Sequence, residues 1–340
     1  MKRRIALAGI AALGLAAHGQ PVKIPARMVE GAADSPWPRR LRDGPEVSSL
    51  RERLARIPRL RGLVAIHEGR LAFEHYRDGI EPEDLHNVAS VTKCVTAALV
   101  GIALKDGKLA SIDQHVADLL PPSLLPARDD RFRRVTVAHL LTMSSGMRRT
   151  NPYGLARARN ILQLPMVAEP GTQFHYDSAA QHLLSVVLAR CTGLQMAEYA
   201  EARLFAPLGV TRYNWFADDD GYTYASHDLF LAPRDMASIG QLFLDRGAWR
   251  GVQLLEPAFA QAAVTGKIDT GVPAAPRYAY AWRELEVRPG TGAYAGTGFG
   301  GQYVLVVPAR KLVMAACHDD DHRGDGIGFM KELVLAPLWD

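Results

Sequence analysis

Residues 87–104, NVASVTKCVTAALVGIAL, read as a buried helix, apolar or small on every face, yet Ser90 and Lys93 stand three apart at its start. Side chains at i and i+3 share a helix face, so the Ser90 hydroxyl and the Lys93 amine can come within hydrogen-bonding distance. Lys93 lies among Val91, Cys94, Val95 and Ala97, with Ala98 and Leu99 beyond. Burial among such neighbours disfavours the ammonium ion, and a neutral amine can take a proton from a hydroxyl. Ser90, at the helix start, also lies near unpaired backbone N–H groups, which favour negative charge on a nearby oxygen. Taken alone, the pair also reads as a serine cap beside a lysine that snorkels to solvent. Its surroundings in the chain have to decide.

Upstream, LVAIHEGRLAFEHYRDG alternates apolar and polar residues about a turn, which predicts a β-hairpin over Leu63 to Tyr76. The helix stops at Asp106 and Gly107. From about 135 to 265 the period is mainly helical, in VTVAHLLTM, AAQHLLSVVLARCTG and PRDMASIGQLFLDRG. Strand patterns return in YAYAWRELEV, GQYVLVVP and KLVMAAC, and GFMKELVLAPL closes the chain as a helix. The expected fold is α+β: an antiparallel sheet of about five strands from both chain ends, packed by helices, with a mainly helical region, about 116–270, inserted.

Two further motifs join the Ser90–Lys93 pair. Tyr176 and Ser178 bracket YDS in a loop just before a helix, where a phenol can relay a proton; Tyr224 to Ser226 repeats the spacing without that setting. Further on, AGTGFGGQYVLVV places Gly296, Gly298, Gly300 and Gly301 at the opening of a strand, where glycine lets a ligand approach the backbone.

Serine-x-x-lysine, tyrosine-x-serine and a glycine-rich strand, in this order, resemble the β-lactamase and penicillin-binding-protein superfamily of serine hydrolases. The resemblance covers about residues 45–340. SVTKCVTAALVGIAL, HLLTMSSGM, EPGTQFHYDSAAQHLLSVVL, LFAPLGV, APRDMASIGQLFL and GTGFGGQYVLVVPARKLV are closest to the class C related branch, which holds esterases, D-amino-acid peptidases and 6-aminohexanoate-oligomer hydrolases. It implies an acyl-enzyme on Ser90, Lys93 as base and Tyr176 as proton shuttle. It also implies an oxyanion hole from the backbone N–H groups of Ser90 and Phe299, and a substrate pocket lined by Ser178, Thr297 and Gly298. Tyr153, in SSGMRRTNPYGLARARN, matches a lid tyrosine of the 6-aminohexanoate hydrolases. The arginines of that loop, Arg148, Arg149, Arg157 and Arg159, read either as a lure for acidic substrates or as a solvated basic face. The resemblance calls for no metal and no organic cofactor.

One position departs from the pattern. Penicillin-handling members carry lysine or histidine before the threonine and glycine of the third motif, and here that place is Gly296. The expected substrate is therefore a small ester or linear amide. A β-lactamase or D-alanyl carboxypeptidase, and a silent sensor of the same fold, stand as alternatives.

Composition and the chain start agree with this. At 340 residues, 48% apolar and 22% charged, the chain suits a soluble globular enzyme or binding protein. MKRRIALAGIAALGLAAHGQ has the basic start, short apolar run and small residues of a secretory signal over 1–19, followed by a Pro- and Arg-rich leader over 20–44 and the hydrolase domain over 45–340. The expected location is secreted or periplasmic, with no stable membrane anchor. Without Lys2, Arg3 and Arg4 the formal charge falls from +4 to +1, so nothing asks for nucleic acid. CHDDDH at 317–322 and DDDG at 218–221 gather possible ligands without the spacing of a zinc or calcium site, and read as turns. Cys94, Cys191 and Cys317 read as small buried hydrophobes, although a bridge between the last two stays open.

Overall fold

The computed structural model describes residues 27–28, 37–57, 59–125, 129–149, 157–319 and 326–334. After helix α1 (Pro45–Ala55), the alternating stretch becomes the hairpin β1 (Leu60–His67) and β2 (Arg70–Tyr76), which turns through Glu68 and Gly69, both at positive φ. Helices α2 (Thr92–Lys105), α3 (Ser178–Thr192), α4 (Pro233–Leu244) and α5 (Pro257–Val264) follow. The chain then returns to strands: β3 (Ile268–Asp269), β4 (Arg277–Tyr278), β5 (Arg283–Arg288), β6 (Thr291–Gly298), β7 (Gln302–Val307) and β8 (Leu312–His318). Helix α6 (Gly326–Val334) comes last.

These strands form one antiparallel sheet in the order β2-β1-β8-β7-β6-β5-β4-β3, so the two ends of the chain meet where β1 pairs with β8. Eight strands replace the expected five or so. The additional ones are the two-residue β3 and β4 and the glycine-bearing β6, whose TGAYAGTG lacks the branched side chains that advertise a strand. The stretch expected as a single strand from Tyr278 is also broken, because Ala281 takes φ +69 and the ladder with β6 starts only at Arg283.

Alternate residues of the central strands feed two cores, since successive side chains point to opposite faces. Val64, Ile66, Val304, Val306, Val313 and Ala315 join the helical side, while Leu63, Ala65, Leu305, Val307, Leu312 and Met314 join the side that α1 and α6 cover. With both faces buried, β7 and β8 read as continuous apolar runs, and each fully buried Val, Leu or Met contributes about 1.5–3 kcal/mol. Helix α4 lies directly on the sheet. A Cβ at Gly240 would come within 2.7 Å of the Val304 and Val313 methyls, so this close approach requires glycine.

Between β2 and β3 the chain is mainly helical, as its periodicity predicts, but it also builds a small sheet from Arg27–Met28, Arg212–Trp215, Leu229–Leu231 and His86–Asn87. The described part of the leader is tied down. Trp37 is buried edge-on against Trp249 at 5.2 Å, and the Arg40 and Arg42 amides donate to Leu71 and Ala72. All three cysteines are free, with Cys317 sealed in β8 against the Met236 sulfur. Among the described residues no helix is long and apolar enough to cross a membrane.

Candidate active site

Helix α2 is buried on every side from Thr92 to Ala103, packed between the sheet and α3. That environment traps Lys93, which is 1% exposed. Its Nζ lies 2.8 Å from Ser90 Oγ and donates to the Ser226 carbonyl at 2.7 Å. Burial holds the Lys93 pKa below the usual lysine range; the neighbouring Tyr176 oxygen opposes this and the Arg283 charge adds to it. The lysine does not snorkel.

Ser90 sits half-exposed in a tight 3-10 turn, Ala89–Val91, that leads into α2. The turn is held from both sides. Val88 N–H donates to Leu229 of the small sheet, Ala89 N–H to Asn87 Oδ1 at 2.8 Å, and Thr92 Oγ1 to the Ala89 carbonyl at 2.6 Å. Ala89 is held at φ +47, a conformation costly for a residue with a Cβ and one that clusters at functional sites. Gly298 at the end of β6 faces this turn: a Cβ there would lie 2.6 Å from the Val88 carbonyl. The glycine of the third motif thus lets the end of β6 approach the turn that carries Ser90. The Phe299 side chain itself is 64% exposed.

Tyr176 enters from the loop before α3. The loop is fixed to the HLLTMSSGM segment, where the His175 and Asp177 amides donate to the Met143 carbonyl and sulfur. The Tyr176 ring centroid is 5.0 Å from Lys93 Nζ and 5.3 Å from the Arg283 guanidinium, and the ring meets Tyr278 edge-on at 6.1 Å. Arg283 Nε also donates to Thr297 Oγ1 at 3.2 Å. Ser178 opens α3, half-buried, two residues past Tyr176. Ser90, Lys93, Tyr176, Thr297 and Gly298 therefore converge, while Tyr153 lies outside the described residues.

Three contributors were not read from the sequence. Ser226 acts through its carbonyl, and the second tyrosine-x-serine spacing, weighed only for its side chains, was the trace of it. Arg283 sat in what looked like an ordinary strand, and Cys94 looked like filler. A Cβ at Gly296 would lie 2.6 Å from Cys94 Sγ, so the sulfur occupies the space where a larger residue of the third motif would begin.

The described residues of the acidic clusters make structural contacts, while Asp320, Asp321 and His322 lie outside the described residues. Asp218 is buried, takes His182 Nε2 at 3.1 Å and three backbone amides, and pins the DDDG turn. Its neighbours Asp219 and Asp220 pair with Arg157 and Arg159 at 3.0 and 2.9 Å, which engages two of the four loop arginines. In CHDDDH, buried His318 bonds the Gly301 carbonyl and Asp319 pairs with Arg77.

Asp177 caps α3, its Oδ1 taking the Ala179 N–H at 3.0 Å, while its Oδ2 has no partner among the described residues. Burial pushes its pKa up to about 6. A carboxyl raised on folding contributes stability that is complete below its ordinary value of 3.8 and lost as pH rises through 6. Asp177→Asn keeps the cap and removes the charge. The wild type is expected to lose Tm relative to this variant between pH 5 and pH 8; parallel Tm curves would refute the shift.

A family model described as Beta-lactamase matches residues 51–334. The chain belongs to the beta-lactamase family. Within that family it is 25% identical over 212 residues to the 6-aminohexanoate-dimer hydrolase of Paenarthrobacter ureafaciens, a match covering 57% of this chain and 54% of that protein. The chain thus spans about half the length of that curated relative. A Bacillus anthracis structure provisionally named a 6-aminohexanoate-dimer hydrolase superposes with a TM-score of 0.76 at 18% identity, covering 93% of this chain and 90% of that one. EstCE1, a hydrolase with promiscuous acyltransferase activity, superposes at 0.69 with 17% identity, covering 84% of this chain and 96% of its own. At such identities the superpositions establish the fold.

Proposed function

We propose that the protein hydrolyses a carboxylic ester or linear amide through an acyl-enzyme on Ser90. The observation that carries this reading is the 2.8 Å contact between Ser90 Oγ and a buried amine whose pKa burial lowers. Neutral Lys93 takes the Ser90 proton as Oγ attacks the substrate carbonyl. The backbone N–H groups of Ser90 and Phe299 receive the developing oxyanion. Collapse breaks the carbonyl–leaving-group bond, and Tyr176, exchanging its proton with Lys93, protonates the departing alkoxide or amine. Water then attacks the ester, giving its proton to the same pair and freeing the acid and Ser90. Ser178 and Thr297 form polar walls of the pocket.

The nearest rival within the family, a β-lactam-handling enzyme, is disfavoured by the cysteine-filled space at Gly296. The test is active-site labelling. A fluorophosphonate is expected to add one equivalent to wild type, on the peptide containing Ser90, and none to Ser90→Ala; a labelled variant would sink the assignment. Labelling without turnover of esters, linear amides or a chromogenic cephalosporin would mark a silent sensor instead.

A further inference from the structure

At the end of the sheet away from Ser90, three hairpin turns lie side by side: Glu68 and Gly69 between β1 and β2, residues 289–290 between β5 and β6, and residues 308–311 between β7 and β8. Strand β6 starts here at Thr291 and ends at Gly298 beside the Ser90 turn, roughly 24 Å away at the rise of an extended strand. Together with the leader, which runs beside β2, the turns enclose a cavity of about 580 Å³. Its wall is made of cations. Arg40 and Arg42 come from the leader, Arg288 from the end of β5, and Arg310 and Lys311 from the turn before β8. Glu68 is the one acid among the described lining residues, 3.9 Å from Lys311 Nζ.

The wall is held in place by main-chain and side-chain bonds. Glu68 N–H donates to the Lys311 carbonyl at 3.0 Å, the Arg40 and Arg42 amides donate to Leu71 and Ala72, and Arg288 Nε donates to Thr291 Oγ1 at 3.3 Å. Arg42 Nη2 donates to His67 Nδ1 at 3.0 Å, which makes that nitrogen an acceptor and the imidazole neutral. Burial lowers the His67 pKa, and the Arg42, Arg40 and Lys311 charges lower it further against Glu68. Among the described residues no carboxylate pairs with Arg40 or Arg288. Folding therefore brings like charges together from four separate segments, and their mutual repulsion is relieved when an anion enters.

We propose that this cavity is a second binding site, separate from Ser90, for a compact and multiply charged phosphate. Four of its five cations are arginines, whose planar forks each take two oxygens of a phosphate. A single carboxylate answers one fork and leaves the other cations facing each other. Several phosphoryl groups joined together answer several forks at once, and the cavity has room for them. Free polyphosphates and phosphomonoester lipid headgroups both present this chemistry.

The test is calorimetric titration of the full chain with inorganic tripolyphosphate at physiological salt. Wild type is expected to bind one equivalent, and to bind orthophosphate about tenfold more weakly or less. Arg40→Gln and Arg288→Gln should each weaken tripolyphosphate by about tenfold, the scale of one lost charge-assisted contact. Both side chains are exposed, so these variants should keep the wild-type circular dichroism. Arg133→Gln, which removes an exposed arginine outside the cavity, should bind as wild type does. Tripolyphosphate should also raise the Tm of wild type and not that of the Arg40→Gln, Arg288→Gln double variant. Unchanged affinity in both cavity variants, an equal loss in Arg133→Gln, or a Tm rise that sodium chloride reproduces at matched ionic strength overturns the proposal. Sedimentation with phosphatidylcholine vesicles, with and without phosphatidic acid, separates the two sources. Sedimentation that needs phosphatidic acid and is competed by tripolyphosphate assigns the lipid headgroup, whereas tripolyphosphate binding without sedimentation assigns a soluble ligand. Sedimentation that persists in the double variant places the lipid contact elsewhere and counts against the cavity.

Discussion

Lys93→Met is expected to lower kcat/KM by about 10,000-fold, the scale for removing the base that activates a nucleophile. Methionine matches the volume of lysine in a site that is 1% exposed, so the loss should come from chemistry and not from collapse of α2. The same variant has a stability signature of definite sign. Folding lowers the Lys93 pKa, so the unfolded chain binds more protons and wild-type stability rises with pH up to the ordinary value of 10.5. The methionine variant lacks this slope. Against it stands the Ser226 carbonyl, which loses its 2.7 Å donor at a cost of about 1–3 kcal/mol. Urea melts between pH 6 and 10 should therefore show the variant losing ground to wild type as pH rises. A constant difference would mean that Lys93 is charged in the folded state, and the proposed base would be lost with it.

Gly296→Ala is expected to destabilise the protein by about 1–3 kcal/mol, the usual cost of inserting a methyl into a filled core. The new Cβ would lie 2.6 Å from Cys94 Sγ, and Cys94 sits on a helix whose neighbouring positions are all buried, so the sulfur has no open side to turn to. Cys94→Ala on its own opens a small gap. In the Cys94→Ala background the Gly296→Ala cost should shrink, giving a favourable coupling of at least about 0.5 kcal/mol in urea melts of the four proteins. Equal costs in the two backgrounds would show that the sulfur does not limit this position. If the coupling holds, a lysine or histidine at 296 cannot be installed without remaking α2.

The arrangement of the candidate site was legible where it depends on side chains at fixed spacing. The Ser90–Lys93 contact follows from i, i+3 geometry and apolar neighbours, which are local facts, and Tyr176 came with the tyrosine-x-serine motif. What escaped was carried by main chain or by partners distant in sequence. Ser226 holds Lys93 through a carbonyl that any residue possesses. Arg283 meets Thr297 only because β5 and β6 pair, with Arg283 opposite Ala295 two residues from that threonine. The strand count fell short for a related reason. In β6 the glycines answer to the helix and turn packed against them, so the residues that fit the site erase the pattern of a strand. Arg157 and Arg159 read from sequence as either a lure for acidic substrates or a solvated face, and folding pairs them with Asp219 and Asp220, which are distant in sequence.

The pairing of β1 with β8 sets the order in which this protein becomes itself. Leu63 finds its partner at Ala316, almost the full length of the domain away, so the hairpin made first must wait with one edge open until the last strand arrives. Closing so large a loop is entropically costly, and contacts this distant slow folding. The glycine-lined wall facing Ser90 comes on β6, late in synthesis, and α2 lies between elements from both ends of the chain. A ribosome-bound chain with residues 87–104 already made thus holds Ser90 and Lys93 without the enclosure that lowers the lysine pKa, and on the proposed function reactivity arrives only with completion of the fold.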